Sequence, residues 1–183
     1  MGREWIYRII VPPAIIIGAG AIPCYATTYL TVEQAQRLCF PAATGFIPAD
    51  VNLTAPQAKT IEKDSGVRVR LTSQKTWRAM ADGRFLGWVI QDEVLGKHEF
   101  INWVMALNAD GTVRQIEILD YRETYGYQIR EEKWRRQFYG KQHGAKLKLD
   151  DDIQNISGAT LSCRHIADGV KRLLSLYELV LKG

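Results

Sequence analysis

Two Asp-Gly pairs constrain the middle of this chain more than any other feature. In "KTWRAMADGRFLGWVIQDEV" the pair Asp82-Gly83 separates two half-alternating apolar runs. In "HEFINWVMALNADGTVRQIEILDY" Asp110-Gly111 does the same. Such a pair supplies the positive backbone angles of a tight hairpin turn, so each unit reads as two antiparallel strands. Within "TVRQIEIL", Val113, Ile116, Ile118 and Leu119 suggest one buried face, although the alternation is imperfect.

Helices flank this β-rich middle. "LTVEQAQRLCFP" has Thr31 as cap, Gln34 at capping-box spacing and Pro41 as a stop. "TAPQAKTIEKDSG" has Thr54 as cap, Pro56 in the first turn and Gly66 as terminator. A loop containing Pro48 is expected between them. "YQIREEKWRRQFYG" turns to helical spacing, with Ile129, Trp134 and Phe138 on one side and Gly140 at the end. From Ser157 to Lys182 the stripe Cys163, Ile166, Ala167, Val170, Leu173, Leu174, Tyr177, Leu181 recurs every 3.6 residues. The fold class is therefore α+β: a hairpin-built antiparallel sheet packed against helices, with a long C-terminal helix.

The first residues read as an address rather than as part of the fold. Arg3 and Arg8 precede "IIVPPAIIIGAGAI", an apolar run of 14 residues, and Cys24 and Ala26 offer small side chains before a cleavage point. That is the layout of a secretory signal peptide over residues 1–26. An uncleaved anchor is the competing reading, although a bilayer span needs about 20 apolar residues and Pro12-Pro13 would kink the run. Either way the remaining chain, a helical segment over 27–70 and a second unit over 71–183, lies outside the cytoplasm, as a periplasmic protein does. An oxidising compartment would permit Cys39 and Cys163 to pair, but nothing in the sequence brings them together.

Several function classes find no support. The net charge of +4 and a pI near 9.0 look basic, yet the densest cationic run, "REEKWRRQFYGK", interleaves two glutamates and reads as a solvated face, not a nucleic-acid footprint. His98, His143 and His165 have no ligand-like spacing for a metal, and no Ser/His/Asp set suggests hydrolysis.

What remains is the opening of the last helix, "ISGATLS". With Ser157 as the expected cap, Gly158, Ala159 and Thr160 would be its first residues. The amides of a helix's first turn have no intrahelical partner and carry partial positive charge, which makes such an end a ready anion site. Small side chains leave the backbone open to a bulky ligand, and Thr160 adds a hydroxyl able to bond a phosphate or be esterified by one.

This stretch resembles the flavinylation motif of the FMN-binding domain family, which includes the flavin-carrying subunits of ion-pumping quinone reductases. "ADGRFLGWVI", "ALNADGTVRQIEILDYRETYG" and "KWRRQFYGK" resemble that family's two hairpins and following helix, in order, over about residues 76–175. The resemblance implies FMN linked by a phosphoester to Thr160, placed there from FAD by a dedicated flavin transferase. Ser157, Gly158, Ala159, Leu161 and Ser162 would surround the phosphate, and Glu123, Thr124 and Gly126 would lie beside the ring, with Tyr125 or Tyr127 able to stack. One departure stands out: Gln154 occupies a position where the family usually has aspartate, while Asp150, Asp151 and Asp152 are out of register. That raises non-covalent FMN as an alternative. Lys97 and His98 read first as a solvated strand end, and second as cations near the flavin.

The implied activity is that of an exported electron carrier between a redox donor and acceptor. A flavin-dependent reductase with its own small substrate, or a flavin-free assembly protein, are the alternatives.

Overall fold

The computed structural model describes residues 29–183; the expected signal segment and Cys24 lie outside the described residues. The element order is α1 (Val32–Cys39), β1 (Gly45–Pro48), β2 (Val51–Asn52), α2 (Ala55–Ser65), β3 (Ser73–Gln74), β4 (Thr76–Ala81), β5 (Arg84–Leu95), β6 (Phe100–Asn108) and β7 (Val113–Asp120). Short turns follow, with α3 at Glu132–Arg135, and then α4 (Thr160–Leu176) continues into a π-helical turn at Tyr177–Leu181.

Local signals set most of these boundaries. Both expected capping boxes form: Thr31 with Gln34 and Thr54 with Gln57 each exchange side-chain and backbone bonds, satisfying amides that a helix start leaves free. Gly66 closes α2 in the left-handed conformation. Asp82 and Gly83 both take positive φ, the primed turn joining β4 to β5.

Five antiparallel strands run in the order β1-β4-β5-β6-β7, and β2 pairs with β3 in a separate ribbon. Helices cover both faces. On one, Ile90, Trp103, Met105 and Ile116 pack against Ile166, Val170 and Leu173 of α4 and Ile61 of α2. On the other, Val89, Val104, Ala106 and Leu119 meet Ala35 and Cys39 of α1. Burial on both sides explains the imperfect alternation of β7: Leu119 serves the α1 face while Ile116 and Ile118 serve the α4 face. Glu117 is buried as well, because Arg135 reaches in to pair with it and also donates to the Ile116 carbonyl at 2.5 Å.

Two expectations about elements need correction. Residues 45–48 are not loop but the edge strand β1, in register with Trp77–Met80; Pro48 ends it on an edge, where a missing N–H costs no ladder bond. Residues 127–138 are not one helix. They form a 3-10 turn at Tyr127–Arg130, then α3, then a second 3-10 turn at Arg136–Phe138, because Glu131 is extended with ψ 133°. Ile129, Trp134 and Phe138 still all face inward.

Cys39 and Cys163 are free thiols in the two different cores, on opposite sides of the sheet. Burial pushes the Cys39 thiol up to about 12 and the Cys163 thiol up to about 11.

Candidate functional site

The start of α4 lies later than the sequence suggests. Ser157 is exposed and caps nothing; the N-cap is Ala159, without a side-chain cap bond. Gly158 is the cause. Its φ of +82° turns the chain out of any helical path, and the Ala159 amide closes that turn on the Ile156 carbonyl at 3.0 Å. The first bond of the helix runs from the Cys163 amide to the Ala159 carbonyl at 2.9 Å. The amides of Thr160, Leu161 and Ser162 are therefore the ones without intrahelical partners, two positions beyond the expected set. The half-buried Thr160 hydroxyl makes no hydrogen bond among the described residues, so it stands free beside those amides.

The segment from Tyr121 to Gly126 meets this turn. A side-chain atom on Gly126 would strike the Ala159 methyl and come within 2.8 Å of the Tyr121 hydroxyl, and Gly126 itself has φ +87°. Loop and motif thus touch through the two smallest side chains available. Tyr121 is buried, donates to the Tyr125 carbonyl and lies against Ser162; burial is the main cause that raises its phenol above the usual value. Tyr125 and Tyr127 are 72% and 62% exposed.

Glu123 does not point at the motif. Its carboxylate accepts from the amides of His98 at 2.6 Å and Glu99 at 3.0 Å, holding the turn between β5 and β6. Burial works to raise this carboxyl, but the amides of His98, Glu99 and Lys97 outweigh it, and its pKa lies below the ordinary value. Thr124, Lys97 and His98 are exposed. The His165 ring closes the other side of the same turn through the Leu95 carbonyl. Three segments remote in sequence, 96–99, 121–126 and 157–162, are thereby gathered at one end of the sheet.

The approach to the motif is held by its main chain. The Gln154 amide donates to Gln137 at 2.5 Å, and its carbonyl accepts from the Trp134 indole at 2.7 Å. Asp152 is occupied in structure, accepting from Lys141 at 2.8 Å and from the Lys148 amide at 2.7 Å. Buried acceptors without a partner at this end include Gln128 Oε1 and Asn155 Oδ1. A cavity of about 390 Å³ adjoins the hairpin turn between α4 and residues 67–71, lined among others by Leu71, Leu95, Phe100, His165 and Arg172.

Sequence reasoning missed Tyr121, His165 and the Gly126–Ala159 contact. A tyrosine two residues before a candidate glutamate was the available signal for the first; the other two arise only from the fold.

An end of this kind, with free amides and a free hydroxyl opposite a glycine loop and exposed aromatics, suits a phosphate carried on a flat ring. The model of a family described as "FMN-binding domain" matches residues 96–175, in line with the motif resemblance. Among solved structures, NqrC of Shewanella oneidensis shares the fold, with a TM-score of 0.50 at 16% identity over 80% of this chain and 83% of that one. No curated protein matches.

Proposed function

We propose that this protein is an exported electron carrier whose FMN is joined to Thr160 by a phosphoester. The observation that carries the reading is the free Thr160 hydroxyl set among unpaired first-turn amides, with Gly126 packed against Ala159 to keep that end open. The residues present fit the group. Thr160 would hold the phosphorus, the amides of Leu161 and Ser162 would bond its oxygens, and helix polarity would favour its negative charge. Ser157 and Gly158 are exposed and leave room beside it. Gln128 and Asn155 offer unpaired acceptors for a ring N–H, and Tyr125 or Tyr127 offers a stacking face.

Bound FMN supplies one- and two-electron chemistry; the protein supplies binding, orientation and electrostatics. Glu123 acts at one remove, by fixing the 96–99 turn through its amides. The likeness to NqrC favours a role beside other redox proteins, with a donor and an acceptor outside the cytoplasm and a flavin transferase for maturation. The signal-like N-terminus supports export to the periplasm.

Intact mass after co-expression with a flavin transferase tests the tether. The wild type is expected to gain one FMN, and Thr160→Val none. An adduct on Thr160→Val, or none on the wild type, overturns the assignment. In the same series Gln154→Asp reports whether the missing carboxylate limits loading. Because the main chain at Gln154 is already fixed by Trp134 and Gln137, little change is expected.

One observation favours a second reading, a reductase with a small substrate: the cavity beside the hairpin turn carries His165, a possible proton donor, and is of ligand size. Sustained turnover of a soluble acceptor without a protein partner, lost in His165→Gln, would favour it.

A further inference from the structure

We infer that the end of the domain carrying the candidate site is a bilayer-facing surface. Six of the nine exposed large apolar side chains among the described residues lie there: Leu71, Leu95, Phe100, Tyr125, Tyr127 and Leu161. Their grouping follows from the contacts. Leu95 and Phe100 are partners at the close of the β5–β6 pair, and Leu71 shares a cavity with both. Leu161 is in the first turn of α4, and Tyr125 and Tyr127 flank the glycine that packs on Ala159. The other three, Leu38, Ile47 and Leu179, are not part of this group. Ile47 pairs with Arg78 towards the opposite end of the sheet, and Leu179 follows Tyr177, whose hydroxyl reaches the Ala109 carbonyl in the β6–β7 loop.

The point where the chain enters the fold favours lipid as the occupant. The described fold begins at Tyr29, and Tyr29 is fixed to this same end: its amide donates to the Leu119 carbonyl at 2.9 Å and its hydroxyl to the Tyr121 carbonyl at 3.3 Å. The Arg130 guanidinium covers its ring at 3.3 Å. The apolar run of residues 9–22 is thus joined to the site end by seven peptide steps, at most about 25 Å when extended. With that run retained in a membrane, Tyr29 and the end it is fixed to stay within about 25 Å of the lipid, and tyrosines are favoured at such a boundary. A lipid surface also fits the charge. Arg122 is paired with Asp120 at 2.7 Å, Glu123 is taken by amides, Lys97 and Glu99 share one turn, and Arg68 and Arg70 line the same cavity as Glu93, Asp168 and Arg172, the last paired with Asp92. This near-cancellation separates the surface from a basic patch that selects anionic lipid. Apolar insertion carries the contact, and zwitterionic lipid suffices. The inference rests on residues 1–28 being kept as an anchor, and not on how FMN is attached.

The full chain, in a Cys24→Ser background, is labelled with an environment-sensitive fluorophore at Phe100→Cys or at Leu179→Cys, Cys39 and Cys163 being buried. Both proteins are reconstituted into phosphatidylcholine vesicles with brominated acyl chains, and their thermal midpoints are compared with the parent's as a fold control. The label at 100 is expected to be quenched several-fold more than that at 179, and adding phosphatidylglycerol is expected to change little. Equal or reversed quenching overturns the proposal and leaves this end to a protein partner. Dependence on anionic lipid overturns the apolar account. Intact mass of the protein from its native membrane fraction gives a separate check: loss of residues 1–26 there overturns the anchor on which the orientation depends.

Discussion

Replacing Gly126 by alanine tests the packing on which the site depends. Two costs follow from the structure. A side chain at φ +87° sits in the left-handed region, which costs an L-residue about 1–2 kcal/mol. The new methyl also meets the Ala159 methyl head-on and lies 2.8 Å from the Tyr121 hydroxyl. Overpacking of this kind costs about 1–3 kcal/mol. The expected total is about 2–5 kcal/mol in chemical denaturation. Ala159→Gly removes the obstacle and loses about 0.8 kcal/mol for the buried methyl. In the double variant the backbone term should persist and most of the steric term should vanish. The two substitutions should therefore be coupled by at least about 1 kcal/mol, whereas independent sites add to within about 0.5 kcal/mol. The tyrosine contact limits the rescue, since moving its hydroxyl strains its bond to the Tyr125 carbonyl. A Gly126→Ala protein as stable as the parent, or a strictly additive cycle, refutes the contact.

Two further perturbations probe the charges. Arg172 donates to Asp92 at 2.6 Å, with the carboxylate side chain wholly buried, so Arg172→Ala should cost about 3–5 kcal/mol in denaturant unfolding at neutral pH. Burial already raises the Asp92 pKa despite Arg172, so the penalty in that variant should shrink as pH falls and the carboxyl takes up a proton. For Glu123 the sign is opposite. Its folded pKa is below the reference of 4.5, so its grip on the 96–99 turn is complete above that value and is lost as pH falls through the lowered one. Amide shifts of His98 and Glu99, followed by NMR, should show that acid transition in the parent and none in Glu123→Gln.

Elements set by neighbours a few residues apart were readable in the sequence. The capping boxes at Thr31 and Thr54 and the turn at Asp82-Gly83 depend only on local bonds, and each forms as written. The errors fall where backbone angles answer to distant contacts. Ser157 has the chemistry of a cap, but Gly158 turns away before the helix begins, and the turn is seated by Ala159 against Gly126. Ile129, Trp134 and Phe138 keep a helix-like spacing through a chain that Glu131 interrupts, because burial selects side chains and not the path between them. The short edge strand β1 escaped because four residues ending in proline carry almost no periodic signal. Which residues the candidate site draws on could be proposed from the motif. That Glu123 serves the hairpin turn rather than the motif could not, since the bond spans 25 positions in sequence.

The openness of this end bears on how a cofactor is kept there. Small-molecule sites that rely on affinity enclose about 70–90% of the ligand's surface. Here the candidate stacking faces are largely in solvent, with Tyr125 72% and Tyr127 62% exposed, and the Thr160–Ser162 amides lie at a rim. No lysine or arginine occurs between Ser157 and Ser162 to add a charged anchor. The helix dipole contributes about 0.3–1 kcal/mol per charge in exposed settings and each amide bond to a charged oxygen about 1.5–3 kcal/mol, which the cost of association largely offsets at an open site. On the proposed reading an electron carrier has reason to keep its ring at an accessible rim, because enclosing the ring would distance it from redox partners. Openness and retention can coexist when a covalent bond replaces enclosure, and the half-buried Thr160 hydroxyl stands among those amides. The prediction is asymmetric: Thr160→Val should leave the fold intact and strip the flavin almost completely, whereas a site built on affinity would lose only part of it. A Thr160→Val protein that purifies with stoichiometric FMN would show that the open end holds its ligand by contacts alone, without the covalent bond.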